Sequence, residues 1–269
     1  MSIIKNNFEK MNITKIRNSK NNKKLTVITA YDALFAKLFE EIADMILVGD
    51  SLNMSFAGRP DTLSATLEQM IYHTNAVCNG AKNAFVIIDM PFGTYINKDV
   101  ALKNCVEVYR QTNANAVKIE GGEDKADIIK HLTSNAVAVM GHIGLMPQYV
   151  RSEGGYKVRG KTKEDEEQLI CDAIAIEKAG AFSIVVEGVK SDVAKKITQA
   201  VNIPIIGIGA GVDTDGQVLV WSDMLGFFEE FKPKFVRHYL DGAKLVKEAV
   251  NQYRSDVQDK SFPSKQEEY

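Results

Sequence analysis

Cysteine is scarce in this chain: Cys78, Cys105 and Cys171 are odd in number and far apart. They make neither a disulfide framework nor a zinc spacing, and they point to a reducing, cytoplasmic setting. Long apolar runs are missing too. No stretch approaches the ~18 apolar residues of a bilayer span, so no membrane partner is expected. The first 24 residues lack the apolar segment of a secretory signal. They are rich in Asn and Lys instead of Arg and Ser, unlike a transit peptide. Neither sign of charge dominates: 33 basic against 35 acidic side chains leave -2. That balance argues against a dedicated nucleic-acid surface. Linkers, low-complexity segments and sequence repeats are absent as well.

What is present is 45% apolar sequence over 269 residues, enough for one large α/β domain with a full core. Short apolar runs recur and stop at acids: Met45-Ile-Leu-Val-Gly-Asp50, Phe85-Val-Ile-Ile-Asp89, Ala116-Val-Lys-Ile-Glu120 and Ser183-Ile-Val-Val-Glu187. Runs of this length and β-branched content read as parallel strands buried on both faces. Further strands are expected at Leu25–Ala30, Ala136–Gly144, Ile203–Gly209 and Gln217–Trp221. Helices are expected between them, at about 66–78, 98–111, 123–133, 163–179 and 191–200. Another starts at Asp32, with Leu34, Phe35, Leu38, Phe39 and Ile42 as its core face. A closing helix at about 234–253 places Val236, Tyr239, Leu240, Ala243, Val246 and Val250 on one face.

Eight strands alternating with helices is the count of a single-domain (β/α)8 TIM barrel. A doubly wound sheet would want a glycine fingerprint after the first strand, where this chain has Ala30-Tyr31-Asp32. The later Gly207-Ile-Gly-Ala-Gly211 follows the seventh strand, and the third glycine of that fingerprint falls on Val212. The expected layout is a polar basic, solvated lead-in over 1–24, the barrel over 25–257 and a polar tail over 258–269.

In a barrel the strand ends surround one pocket, so Asp50, Asp89, Glu120 and Glu187 share a mouth. Two carboxylates ~4 Å apart repel by roughly 4 kcal/mol at an effective dielectric of 20, so such a cluster takes up protons or binds a cation. Oxygen ligands without Cys or paired His favour Mg²⁺ or another hard ion. It would polarise a carbonyl and stabilise an enolate. A single acid could equally cap a helix or pair with a base, Asp89 above all. Lys118 shares a strand face with Glu120. It could stabilise an oxyanion, form a Schiff base, or only pair with the acids around it. His142, near Gly141 and Gly144, could donate to a carboxylate or be structural. His73, His131 and His238 fall in helical patterns and read as packing or surface residues. Tyr31, Tyr156 and Trp221 carry no specific signal. Gly154–Gly160 has the glycine content and charge of a lid, or of an ordinary surface loop.

Together these segments resemble the ketopantoate hydroxymethyltransferase family. The similar stretches are Thr29-Ala-Tyr-Asp32, Leu47-Val-Gly-Asp-Ser-Leu52, Asp89-Met-Pro-Phe92, Val117-Lys-Ile-Glu-Gly-Gly122, Gly141-His-Ile-Gly-Leu145 with Pro147-Gln148, Gly154-Gly-Tyr-Lys-Val158 and Ile206-Gly-Ile-Gly-Ala-Gly211. They run in family order over about residues 25–255. The resemblance implies an enzyme of pantothenate biosynthesis with one Mg²⁺ per subunit. It would move a hydroxymethyl group from 5,10-methylenetetrahydrofolate, as co-substrate, to 3-methyl-2-oxobutanoate, giving 2-dehydropantoate. By motif position Asp50 and Asp89 hold the metal, with Glu120 beside it directly or through water. Asp50, Ser51, Asp89, Lys118 and His142 contact the substrate, and Glu187 is the general base. A cytoplasmic homo-oligomer, commonly a decamer, is also implied. The chain departs from the family pattern at Asn53, in Gly58–Ser64 and at Met146.

Three other readings compete. A carbon–carbon lyase of the isocitrate lyase and phosphonomutase type would also use strand-end acids, but needs a mobile loop with a group such as Cys, and all three cysteines fall in expected helices. A non-catalytic barrel predicts a broken acid set. A Schiff-base aldolase would act through Lys118.

Overall fold

The structure, a computed structural model, describes residues 10–229 and 232–269. The chain divides into two compact units, Met1–Leu219 and Val220–Tyr269. The first holds eight strands: β1 (Leu25–Thr29), β2 (Met45–Val48), β3 (Val86–Asp89), β4 (Ala116–Glu120), β5 (Val139–Gly144), β6 (Ser183–Glu187), β7 (Ile205–Ile208) and β8 (Gly216–Leu219). They pair in sequence order, all parallel, and β8 returns to β1 to close the barrel. The expected barrel is therefore the fold. Its helices are α1 (Ile13–Asn18), α2 (Ala33–Phe39), α3 (Leu52–Ser55), α4 (Leu67–Gly80), α5 (Lys98–Gln111), α6 (Glu123–Ser134), α7 (Lys163–Lys178) and α8 (Ser191–Ala200). The second unit carries α9 (Trp221–Met224) and α10 (Gly242–Gln258).

Local chemistry explains the helix starts. Asp32, Thr66, Asn97 and Thr162 each accept the N–H three residues on, and Gln69 returns a bond to the Thr66 N–H to complete a capping box. Strand alternation then sorts the barrel interior. Met45 and Leu47, Phe85 and Ile87, Ala116, Met140 and Val185 all belong to one buried cluster. Continuing the same face by twos reaches Asp89 on β3, Lys118 and Glu120 on β4, His142 on β5 and Glu187 on β6. The interior is apolar below and ionisable at the C-terminal rim.

Several sequence expectations change. Ala136 sits at φ 65, a left-handed turn position, so β5 begins at Val139 and not at Ala136. Trp221 opens α9 instead of ending β8. The solvated lead-in is corrected for its described part: α1 inserts Ile16, fully buried, into the interior cluster. Its neighbours reach the loops that precede strands. Arg17 donates to the Ala181 carbonyl at 3.2 Å, and Lys20 pairs with Asp215 at 2.8 Å. This short helix closes the end of the barrel where the strands begin. Residues 1–9 lie outside the described part.

The core face assigned to α2 is also corrected. Leu34, Leu38 and Ile42 are 69%, 59% and 76% exposed, and within α2 only Ala36 is buried. The helix is short and lies against α4, and its inward positions are taken by Ala36 with half-buried Phe35 and Phe39. In the second unit the closing helix starts at Gly242, so Val236, Tyr239 and Leu240 precede it. The Tyr239 and Gly242 N–H groups bond to the Met224 and Leu225 carbonyls, which holds that stretch out of helix. The tail folds back on α10, with the Phe262 ring 5.5 Å from that of Tyr253.

Candidate active site

Strand register sets the site. Asp89 pairs with Lys118, Glu120 with His142, and Gly144 with Glu187 across β3 to β6. Asp50 comes from the turn after β2. Gly49 permits that turn to close on β3: a Cβ there would stand 2.8 Å from Ser51 Oγ and 3.6 Å from Asp89 Oδ2. The Asp50 N–H donates to Asp89 Oδ2 at 3.0 Å. Asp50, Asp89, Lys118, Glu120 and His142 are all buried, and only Glu187 of the four acids is half-buried.

The ionisable groups form a connected chain. Lys118 Nζ lies 3.2 Å from Asp89 Oδ1 and 3.0 Å from His142 Nδ1. His142 Nδ1 is 3.6 Å from Glu120 Oε1, and Nε2 is 3.3 Å from Glu187 Oε2. Burial, then the charges of Asp89 and Glu120, hold the Asp50 carboxyl well above the usual range. Burial also raises Asp89, against the pull of Lys118. Glu120 goes the other way. Burial would lift it, but His142, Lys118 and the Gln148 N–H bring it below the ordinary value. Lys118 is held up by the three acids against its own burial. For His142, burial and Lys118 push down while Glu120 and Glu187 push up, and the acids carry it to about 9. An ammonium donating to Nδ1 leaves the ring proton on Nε2, opposite Glu187. A second proton, on Nδ1, makes the Lys118 contact repulsive and favours Glu120 instead.

Ser51 stands slightly apart. It is half-buried, and its Oγ lies 2.9 Å from the Tyr31 hydroxyl, which is fully buried. His73, read as a packing residue, holds the Tyr31 carbonyl through Nδ1 at 2.6 Å. Gln148, which the sequence marks only as part of the Pro147-Gln148 stretch, is buried among the acids. Its amide Nε2 donates to Asp50 Oδ2 at 2.8 Å and to the Met90 carbonyl at 3.0 Å. Its backbone N–H donates to Glu120 Oε2 at 3.0 Å. The signal available in the sequence was a polar residue after proline at the end of the fifth strand.

The acids share one pattern. Asp50 Oδ2, Asp89 Oδ2 and Glu120 Oε2 each accept an N–H. Asp89 Oδ1 is buried and has no hydrogen-bond partner among the described residues. The loop after β5 leans over the mouth. Arg151 pairs with Asp61 at 3.1 Å, and the Tyr156 hydroxyl lies 3.8 Å from Met54 Sδ. Arg159 anchors its far end on Asp165 at 2.7 Å. Asn53, where the family pattern differs, is buried and ties this region together by donating to the Asp61 carbonyl and to Ser64 Oγ. No cysteine lies at the mouth: Cys78 and Cys105 are buried within α4 and α5, and Cys171 is exposed on α7.

The family model for ketopantoate hydroxymethyltransferase matches residues 10–265. A 3-methyl-2-oxobutanoate hydroxymethyltransferase of Aliarcobacter butzleri (strain RM4018) is 97% identical over 269 residues, covering 100% of both chains. The protein of that name from Sulfurimonas denitrificans is 68% identical over 255 residues, 95% of this chain and 97% of the other. One from Helicobacter pylori (strain ATCC 700392 / 26695) is 54% identical over 262 residues, 97% of each. Among solved structures, phosphonopyruvate hydrolase in complex with oxalate and Mg²⁺ superposes with TM-score 0.63 at 14% identity, covering 96% of this chain and 93% of that one. A 2,3-dimethylmalate lyase of the PEP mutase/isocitrate lyase superfamily gives 0.60 at 16%, covering 91% and 88%. At such identities these two likenesses show a shared barrel fold and nothing finer.

Proposed function

The chain belongs to the ketopantoate hydroxymethyltransferase family, and we propose that it transfers a hydroxymethyl group from 5,10-methylenetetrahydrofolate to 3-methyl-2-oxobutanoate. The product is 2-dehydropantoate, a step of pantothenate biosynthesis. The observation that carries this reading is the acid rim, in which three buried carboxylates each have one oxygen held by an N–H.

The residues present fit a hard divalent cation. Asp89 Oδ1 is a buried acceptor with no hydrogen bond among the described residues, and with the Lys118 ammonium at 3.2 Å on one side it keeps a lone pair for a further ligand. No three His, Cys, Asp or Glu side chains among the described residues are grouped to hold an ion by themselves. Mg²⁺ does not require that, since it keeps several waters and takes one or two carboxylates. Asp50 and Asp89 would hold one ion per subunit, with Glu120 beside them. When bound, Mg²⁺ supplies Lewis acidity that draws charge from the substrate's keto and carboxylate oxygens and so acidifies its C3–H.

The chain's own groups do the rest. Ser51 donates to the substrate carboxylate, and Lys118 and His142 stand near its oxygens. Glu187, the acid with the most exposure, takes the C3 proton while His142 orients it through Nε2. The electron pair left at C3 forms the new carbon–carbon bond to the donor's methylene carbon, whose carbon–nitrogen bonds are released to the folate. One water balances the product hydroxyl. Exposed Leu34 and Leu38 on α2, with Ile42 just beyond its end, support assembly as a homo-oligomer, with a decamer expected from the family resemblance. Small-molecule substrates and three unpaired thiols support a cytoplasmic setting. Among the described residues no helix is long and apolar enough to cross a membrane.

The test is hydrogen exchange at C3 of 3-methyl-2-oxobutanoate in D₂O, with and without Mg²⁺ and tetrahydrofolate. Metal-dependent exchange supports the reading. Protein that binds Mg²⁺ and shows no exchange under any condition serves another substrate.

A further inference from the structure

Gln148 is the residue that the sequence left without a role and that the structure places at the centre of the site. It sits in the 3-10 turn Pro147–Tyr149, directly after β5. From there it touches the ends of three other strands: Asp50 after β2, the Met90 carbonyl after β3, and Glu120 at the end of β4. Its fourth partner is the Tyr95 hydroxyl, which donates to Oε1. Both hydrogens of the amide nitrogen are used, and the amide oxygen has its own donor.

This set of partners permits one orientation of the amide. A flip would turn Oε1 toward Asp50 Oδ2 and the Met90 carbonyl, acceptor against acceptor. The buried Tyr95 hydroxyl on the outer side locks the correct one. The group is also neutral. A Lys or Arg in its place would hold Asp50 and Glu120 through charge, and would cancel the negative potential that attracts a cation. An amide and a backbone N–H fix one oxygen of each carboxylate by direction and leave that potential standing.

We propose that Gln148 is a positioning residue for divalent-cation binding: it fixes Asp50 through Oδ2 and Glu120 through Oε2, so that their other oxygens are presented together with Oδ1 of Asp89, which Lys118 flanks on one side. The inference rests on the metal assignment of the preceding section.

The experiment measures Mn²⁺ affinity by electron paramagnetic resonance on the full chain, before any activity assay. Circular dichroism checks the fold of each variant. Gln148→Met keeps the length and removes the amide, and should weaken Mn²⁺ binding about 10–100-fold. Gln148→Asn keeps the amide one methylene short and should fall between that variant and the parent. Tyr95→Phe leaves Gln148 in place but unlocks its outer side, with an expected loss of about twofold to tenfold. In each variant kcat at saturating Mn²⁺ should recover further than kcat at limiting Mn²⁺, a split that simple loosening of the core would not give. Folded Gln148→Met that binds Mn²⁺ as the parent does overturns the proposal. If that variant does not fold, Tyr95→Phe decides alone, and unchanged affinity there overturns it as well. Asp89→Asn serves as the control. A parent protein that binds no Mn²⁺, or binds it equally with Asp89→Asn, removes the metal assignment and this inference with it. Parent binding lost in Asp89→Asn but unaffected at Gln148 removes this inference alone.

Discussion

Asp89 and Lys118 face each other across the β3–β4 register, with Nζ 3.2 Å from Oδ1 and both side chains buried. The pair has a cation with three acid neighbours, since Asp50 and Glu120 also act on Lys118. Removing one partner of a buried ion pair leaves uncompensated charge, which typically costs more than the intact pair contributes.

Lys118→Met should therefore lower stability by about 3–5 kcal/mol at neutral pH, read from urea unfolding. The loss should depend on pH in a stated direction. Burial already raises Asp50 and Asp89, and Lys118 is what restrains them. Without it their folded pKa values stand still further above the unfolded ones, so the folded state holds protons that the unfolded state has released. The deficit should be small below the unfolded values and grow as pH rises through the folded ones. Equal deficits at pH 5 and 8 would contradict the assignment.

Glu187→Gln should retain keto-acid binding by calorimetry and lose ~10²–10⁴-fold in turnover and in C3 exchange, the usual worth of a positioned base. The amide oxygen can still accept from His142 Nε2, so the local geometry survives. Loss of keto-acid affinity on this change would remove the base assignment.

Ile16→Ala tests the closure of the barrel by α1. Ile16 is fully buried within the interior cluster, so the substitution should cost about 2–5 kcal/mol. Activity of the folded fraction should be unchanged, because α1 lies at the end opposite the acids. A change of a few tenths of a kcal/mol would mean that α1 merely rests on the barrel.

Arg159 and Asp165 tie the loop over the mouth to α7, with Nη2 2.7 Å from Oδ1. Burial would raise the Asp165 carboxyl, but Arg159 and the Gly160 N–H lower it below its ordinary value. The resulting stability is present above the unfolded pKa and is lost as pH falls through the folded one. Both side chains remain partly exposed, so Arg159→Gln should cost no more than ~1 kcal/mol at pH 7 and nothing near pH 2. Limited proteolysis between 151 and 160 should accelerate at neutral pH. An unchanged cleavage rate would show the loop to be held elsewhere.

Much of the site could be read from single strands. Alternation alone puts Lys118 and Glu120 on one face with Ala116, and the apolar runs that end at Asp89, Glu120 and Glu187 mark the rim. Gln148 could not be read this way. Its importance lies in four partners spread from residue 50 to residue 120, and no local period connects them. The exposed face of α2 failed for a related reason. Leu34, Leu38 and Ile42 carry the spacing of a core stripe, but a periodic pattern does not say which side of a short helix meets the barrel.

By itself the sequence determined the eight-strand barrel, the family resemblance and which acids end which strands. These follow from local rules: strand period, run length, capping residues and the order of motifs along the chain. Only the tertiary structure decided that Ile16 closes the barrel, that α2 turns its leucines outward, and that one neutral residue holds Asp50 through its side-chain amide and Glu120 through its backbone N–H. Each of these depends on side chains from distant segments meeting in space. Barrel closure sets those distances, and local periodicity along the chain carries no record of them.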